Sequence, residues 1–111
     1  MIFNLKEKCL ESPKKEYFYG NIINKSIQNI YLGLAYLEPI EMKKFTPGKG
    51  HEEIIYLIEG NLTVNMNNED FQLKEGESIY IPSDCVITIT NPTNKRIYFV
   101  IAGGHTESHA H

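Results

Sequence analysis

The sequence predicts an all-β fold, and three observations lead to that prediction. The chain divides into short segments rich in Val, Ile, Leu and Tyr, and turn residues separate these segments at regular intervals. Residues 61–66 and 86–90 alternate between apolar and polar side chains, which is the period of a half-buried strand. The 111 residues amount to one domain. These features favour a small antiparallel sandwich or barrel.

Eight segments carry the strand pattern: residues 17–23, 30–37, 53–59, 61–66, 70–73, 78–81, 86–90 and 96–101. Residues 43–50 contain Pro47, Gly48 and Gly50 and are predicted to form a loop. Only the first fifteen residues show a weak helical pattern. We expect any helix there to end at the Ser12-Pro13 pair, because a proline disfavours helix at the residue before it.

The last two strands are predicted to pair with each other. A turn segment separates residues 86–90 from residues 96–101, which is typical of an antiparallel hairpin. In that pairing Ile87 lies opposite residues 99–100. The chain that follows would then run back past the start of the 86–90 strand, so His105 would emerge at that end of the barrel.

Composition limits the classes of function. Apolar residues make up 41% of the chain, charged residues 23%, and the net charge is −3. No basic surface field is expected, so nucleic acid is not a predicted partner. No apolar run approaches the about 20 residues that a membrane span needs, so no membrane partner is predicted. The two cysteines, Cys9 and Cys85, are far apart, and the N-terminus has no secretory pattern, so a cytoplasmic protein is expected.

Residues 47–60 (PGKGHEEIIYLIEG) and 76–91 (GESIYIPSDCVITITN) resemble the two motifs of the cupin family, G-x5-H-x-H-x3/4-E-x6-G and G-x5-P-x-G-x2-H-x3-N. The matching positions are Glu53, Gly60, Gly76, Pro82 and Asn91. The resemblance implies an antiparallel β-barrel of the jelly-roll type, often dimeric. We expect one cupin domain over residues 1–104 and a His-containing tail over residues 105–111.

The chain departs from the family at its usual metal ligands. The two His of the first motif would fall at residues 47 and 49, or at residues 46 and 48, and none of these is His. The His of the second motif falls at Ile87, and Asp84 replaces the glycine of that motif. The family's usual site of three His and one Glu is therefore not expected, and chemistry that depends on it cannot be transferred on the fold alone.

His51 and Glu53 are the remaining candidates at the barrel mouth. They are two residues apart at the start of a strand, so their side chains lie on the same face. An imidazole and a carboxylate in one cavity can hold a metal or share a proton. The alternative is a solvated His51 beside a Glu53 that is paired with a lysine such as Lys49.

The C-terminal residues suggest a relocated metal site. Three of the four His, namely His105, His109 and His111, lie in the last seven residues. Short His-rich tracts are typical of metal binding, and imidazole suits zinc, nickel, iron and copper. We predict that these imidazoles, from the same or a neighbouring protomer, join His51 and Glu53 around a divalent transition metal. The alternative is a tail that takes no part in a site.

Both faces of the strand that contains Glu53 are apolar, and each leads to a prediction. If Glu53 faces inward, four apolar side chains face inward with it, which suits a small hydrophobic or aromatic ligand and equally suits a packed core. These residues are Ile55, Leu57, Ile87 and Ile89. The opposite face of the same strand, with Ile54, Tyr56 and Ile58, is also apolar and needs a cover. The N-terminal strand or a second copy of the chain could supply that cover, and we predict a homodimer.

Three functions fit these observations. The first is a small cupin that binds a metal ion, a small molecule or both at the barrel mouth. The second is a non-catalytic cupin that binds a small ligand in an apolar barrel without a metal. The third is a metal carrier that acts through its tail. The sequence identifies no reaction and leaves open whether the protein is an enzyme.

Overall fold

Residues 2–106 are described in the computed structural model, and they form one helix and nine strands. The elements are α1 (Leu5–Glu11), β1 (Glu16–Tyr19), β2 (Ile30–Leu37), β3 (Met42–Phe45), β4 (His51–Leu57), β5 (Asn61–Met66), β6 (Glu69–Lys74), β7 (Ser78–Ile81), β8 (Ile87–Thr90) and β9 (Ile97–His105). One sheet has the strand order β1-β2-β9-β4-β7 and the other has the order β3-β8-β5-β6. All of the pairings within them are antiparallel.

The two sheets enclose the hydrophobic core. Alternate residues of each strand face inward: Leu62 and Val64 of β5 are completely buried, whereas Asn61 is exposed. Burying one such side chain contributes about 1.5–3 kcal/mol. The core residues are Ala35, Leu37, Phe45, Ile55, Leu57, Leu62, Val64, Leu73, Ile81, Ile87, Ile89, Ile97, Phe99 and Ile101. The predicted all-β, antiparallel barrel is confirmed.

The N-terminal segment is helical, as predicted; the helix ends at Glu11, and Ser12 is its C-cap. The Asn4 side chain caps the first turn and accepts a hydrogen bond from the Glu7 backbone N–H at 3.0 Å. Cys9 is buried on the face that meets the sheet. Phe3 stacks on Tyr19 with ring centroids 5.0 Å apart, so the segment lies against β1. No helix between residues 2 and 106 is long and apolar enough to cross a membrane.

The predicted loop at residues 43–50 is wrong in its first part, because Met42–Phe45 forms strand β3. Phe45 faces the core at 9% exposure. Lys43, two residues earlier, lies on the same face and forms an ion pair with Glu16 at 2.5 Å. The charge of Lys43 at an inward position interrupts the apolar–polar alternation expected of a strand. Nothing in the sequence indicates that Glu16, which is 27 residues away, would pair with it.

The predicted hairpin of the last two strands is also wrong. β8 pairs with β3 and β5, whereas β9 pairs with β2 and β4 in the other sheet. The connection crosses between the sheets through Asn91, which is completely buried. Its side-chain amide donates to the backbone oxygens of Leu37, Glu38 and Lys95 at 2.6–3.2 Å. These bonds stabilise the connection from β8 in one sheet to β9 in the other. Turn residues in the sequence cannot distinguish such a connection from a hairpin within one sheet.

The outer face of the five-stranded sheet stays partly uncovered. Helix α1 covers its β1 and β2 side. On the β4 and β7 side, four apolar or aromatic side chains are 42–52% exposed, namely Ile54, Tyr56, Ile58 and Tyr80. The N-terminal segment therefore supplies only part of the cover that the apolar pattern requires.

Candidate functional site

A cavity of about 550 Å³ opens between the two sheets at one end of the barrel. Its size is within the range of small-molecule sites. β4, β9 and β2 contribute the polar side chains of one wall, and β1 and β3 contribute apolar rings. The lining includes the side chains of Phe18, Tyr31, Phe45, His51, Glu53 and His105.

Glu53 is the buried polar group of this cavity. The alternation of β4 turns it inward, and its side chain is only 4% exposed. Its Oε2 accepts a hydrogen bond from the Tyr31 hydroxyl. Its Oε1 is buried and accepts no hydrogen bond from any residue between 2 and 106. The alternative in which Glu53 pairs with a lysine such as Lys49 is not found, because the hydrogen-bond partner of Glu53 is Tyr31.

The charge state of Glu53 reflects opposing influences. Burial raises the pKa of Glu53 above its usual value, and the nearby Glu16 carboxylate adds to this. The Tyr31 hydrogen bond and the positive charge that His51 can carry act in the opposite direction. Burial and the bond to Glu53 also raise the pKa of the Tyr31 phenol far above its usual range. Tyr31 therefore keeps its proton and acts as the donor.

Gly103 makes the contact between Tyr31 and Glu53 possible. In the five-stranded sheet Tyr31 of β2 and Glu53 of β4 both pair with Gly103 of the intervening β9. A Cβ atom at position 103 would clash with the Tyr31 ring and hydroxyl. The glycine lets the tyrosine lie flat across β9 and reach the carboxylate on the far side.

A second aromatic–glycine pair extends the same wall. Phe18 of β1 lies over Gly33 of β2, where a Cβ atom would come within 2.5 Å of the Phe18 ring. The rings of Phe18 and Tyr31 meet edge to face at 5.7 Å. Phe45 faces them from the other sheet. Three aromatic rings, those of Phe18, Tyr31 and Phe45, therefore line the cavity that contains Glu53.

His51 and His105 lie side by side at the rim. His51 is the first residue of β4, His105 is the last residue of β9, and the two are directly paired. Their ring centroids are 4.9 Å apart, and the His51 ring meets Tyr31 edge to face at 5.6 Å. The His105 Nδ1 lies 3.3 Å from the Asn29 backbone oxygen. The predicted approach of His105 to His51 and Glu53 is thus found, although it comes from the β9–β4 pairing and not from a hairpin.

The other predicted metal ligands, His109 and His111, lie outside the described residues. Between residues 2 and 106, no three or more His, Cys, Asp or Glu side chains are grouped in a way that could hold a metal ion. His51, His105 and Oε1 of Glu53 are the described atoms and groups that could contribute ligands to a larger set.

The predicted ligand-lining residues face inward but lie deeper than the cavity. Ile55, Leu57, Ile87 and Ile89 are at most 1% exposed and belong to the packed core. Of the two predicted alternatives, a ligand-binding lining or a packed core, these four residues form the packed core. The aromatic residues nearer the mouth form the cavity walls instead.

Tyr31 and Phe18 were not predicted to be site residues. In the sequence both lie within segments that carry an ordinary strand pattern. The signal that could find them is the register: an aromatic residue paired with a glycine has room to cross to the next strand. That signal is usable only when the neighbouring strands are known.

Known proteins resemble this chain in sequence and in fold. The sequence model of the family described as "Cupin domain" matches residues 47–103, just over half of the chain. The uncharacterised protein MJ1618 of Methanocaldococcus jannaschii is 42% identical over 43 residues, which are 39% of this chain and 34% of that protein. The match therefore spans about a third of that relative.

Two solved structures show the same fold. A cupin 2 conserved barrel domain protein from Salinispora arenicola has a TM-score of 0.74 at 13% identity, covering 96% of this chain and 89% of that one. A cupin protein from Bacteroides fragilis has a TM-score of 0.68 at 16% identity, covering 87% and 81%. Both cupin motifs lie within the matched residues, and their Glu53 and Asn91 occupy inward positions of the barrel. The chain therefore belongs to the cupin family.

Proposed function

We propose that this cupin binds a small molecule in the cavity at the barrel mouth, with Glu53 as its polar anchor. The observation that carries the proposal is the buried Oε1 of Glu53, which lacks a hydrogen-bond partner among residues 2–106. A buried polar atom left without a partner costs about 1–3 kcal/mol, and more when it is charged. A ligand that donates a hydrogen bond to this atom would remove that cost on binding.

The cavity walls support a small organic ligand. Phe18, Tyr31 and Phe45 offer apolar surface, while Glu53 and His51 offer polar contacts near the mouth. A mostly apolar cleft with a few convergent polar groups is the usual composition of a small-molecule site. The ring nitrogens of His51 could also form a hydrogen bond with a ligand.

Three compounds of matched shape test the proposal: benzyl alcohol, benzylamine and benzoate. Each is titrated into ¹⁵N-labelled protein, and amide chemical shifts are followed by NMR. At least one compound should produce saturable shifts at Tyr31, Glu53 and Gly103. The substitution Phe18→Leu in the wall should weaken that binding, whereas Tyr17→Leu, on the other face of β1, should leave it unchanged. If none of the three compounds shifts these amides, the proposal is wrong.

A metal ion is the second candidate, and the observation that favours it is the pairing of His51 with His105. Their rings are 4.9 Å apart on neighbouring strands, on the side of the sheet where Glu53 lies. His109 and His111 would complete the ligand set in this candidate. A bound zinc, nickel, iron or copper ion would supply Lewis-acid or redox chemistry at the mouth.

Metal analysis tests the second candidate. Protein prepared without a tag or a His-affinity step is analysed for zinc, nickel, iron and copper, and zinc binding is then titrated. Removal of residues 107–111 separates the contribution of the tail from that of His105. The candidate predicts that this truncation and the His51→Ala substitution each lower the bound metal. Unchanged metal content in both variants would exclude this site.

A homodimer remains part of the proposal. Its support is the partly uncovered outer face at Ile54, Tyr56, Ile58 and Tyr80. Contiguous exposed apolar surface is typical of interaction sites. A second copy of the chain that buries this face would also cover β7, the edge strand next to β4.

A further inference from the structure

We propose that the ligand of the mouth cavity is an organic cation, a primary ammonium or an amidinium group carried on a small apolar or aromatic body. The cationic N–H would donate to Oε1 of Glu53, and the body would lie among Phe18, Tyr31 and Phe45. This inference rests on the proposed function, since it assigns a chemical class to the ligand of the same cavity.

The hydrogen bonds of Glu53 indicate that its ligand must be a hydrogen-bond donor. Oε2 is already occupied by the Tyr31 hydroxyl, which can donate only one proton. Oε1 is buried and has no donor among residues 2–106. An ionised carboxylate only accepts hydrogen bonds. A ligand that presents only acceptors would therefore leave Oε1 unsatisfied.

The charges around Glu53 select a positive ligand. Glu16, the other acidic residue of the lining, is neutralised by Lys43 at 2.5 Å. Lys44 also lines the cavity but is exposed, so solvent screens its charge. His51 meets the Tyr31 ring edge to face, and the hydrogen bond that the Glu53 carboxylate accepts comes from the Tyr31 hydroxyl. The negative charge of Glu53 thus has a neutral donor, Tyr31, as its direct partner, and a bound cation would supply the missing counter-charge.

The aromatic walls favour the same class. The face of an aromatic ring attracts a cation, and the attraction grows when water is excluded. Phe18 and Tyr31 present rings 5.7 Å apart at an angle of 74°, so a group beside Glu53 can meet a face of one ring and an edge of the other. Aromatic side chains are a known means by which proteins recognise organic ammonium groups.

The experiment compares the affinities of benzylamine, benzyl alcohol and benzoate, measured by the same NMR titration at neutral pH. Benzylamine, which is protonated there, should bind about tenfold more tightly than the alcohol, the difference expected for a charged hydrogen bond. Benzoate should bind most weakly. Substitution Glu53→Gln should abolish the preference for the amine. The matched control, Glu52→Gln, changes the neighbouring residue, which faces the outer side and accepts a hydrogen bond from Tyr80, and should retain the preference.

The possible outcomes show whether this inference fails alone or together with the proposed function. If benzyl alcohol or benzoate binds at Tyr31 and Gly103 as tightly as the amine, the cation inference is wrong while the proposed function stands. If no compound binds, both are wrong. A preference retained in the Glu53→Gln variant would exclude Glu53 as the anchor. If that variant does not fold, intermolecular NOEs in the wild type decide, because the benzylamine methylene must contact the Phe18 and Phe45 rings.

Discussion

The Tyr31 hydroxyl donates a hydrogen bond to Oε2 of Glu53 across an intervening strand, over the backbone of Gly103. This contact joins three strands at one level of the sheet and turns a buried carboxylate toward the barrel mouth. It leaves Oε1 of that carboxylate without a hydrogen-bond donor among residues 2–106. The stability of the contact and its role in binding can be tested separately.

A methyl group at position 103 should displace Tyr31. In the Gly103→Ala variant the new Cβ would occupy the space of the tyrosine ring, so the ring must leave its position over β9. We expect a loss of about 2 kcal/mol in the free energy of unfolding, measured by urea denaturation, which is in the range of overpacked buried sites. Binding at Glu53 should weaken in parallel.

The control for this prediction is Ala102→Gly, on the same strand but at an exposed position. It should lower the free energy of unfolding by about 1 kcal/mol or less, as expected for a glycine in a strand. A Gly103→Ala protein with wild-type stability and unchanged Tyr31 ring resonances would show that the glycine is not required.

Removing the charge of Glu53 should stabilise the unliganded protein. Burial disfavours the ionised carboxylate at neutral pH, and the amide of Glu53→Gln can still accept the Tyr31 hydrogen bond. We expect a gain of about 1 kcal/mol in the free energy of unfolding, together with the loss of the preference for benzylamine, since functional sites often lower stability. Thermal unfolding followed by circular dichroism measures the gain, with Glu52→Gln as the matched control. A destabilised Glu53→Gln protein would mean that the carboxylate is already compensated without a ligand.

Acid should weaken the ion pair between Lys15 and Glu41. Burial opposes ionisation of Glu41, but the 2.7 Å bond from Lys15 and the 2.8 Å bond from the Glu38 backbone N–H outweigh it and hold the pKa of Glu41 below its usual value. A carboxylate whose folded pKa lies below the unfolded value of about 4.3 stabilises the protein above that pH. That stabilisation is lost as the pH falls through the lower, folded value.

The variant Glu41→Gln isolates this effect. Its free energy of unfolding should fall short of the wild-type value at neutral pH, and the difference should shrink toward zero in acid, below the folded pKa. Chemical denaturation over a series of pH values measures the two curves. The exposed Glu75 provides the control, and Glu75→Gln should follow the wild-type curve. A Glu41→Gln difference that stays constant with pH would contradict the assignment.

A charge on the outer face should separate the proposed dimer. Tyr56 lies on β4 at 43% exposure, among Ile54, Ile58 and Tyr80. The substitution Tyr56→Glu would place a charge in the interface, and analytical ultracentrifugation should then show a monomer where the wild type is a dimer. Gln72→Glu, at an exposed position of β6, should leave the dimer intact. A monomeric wild type at high concentration would contradict the proposal.

Local features of the sequence were sufficient for most strands and for the helix. The bounds predicted for residues 30–37, 61–66 and 78–81 agree with the structure, because alternation and flanking turn residues act within each segment. The resemblance to the cupin motifs implied that Glu53 faces inward, and the two-residue period of a strand then placed His51 on the same face. His51 was predicted to share that face, and it does.

The amino-acid sequence was sufficient for the fold class and for the cupin resemblance, which implied that Glu53 faces inward with His51 on the same face. The contacts between distant segments required the tertiary structure. Glu16 comes beside the inward-facing Lys43 only in the folded chain, His105 reaches His51 through the β4–β9 pairing, and Tyr31 reaches Glu53 over Gly103. The physical reason is that the order of strands in a sheet depends on the packing of the whole core, whereas the pattern within one strand does not.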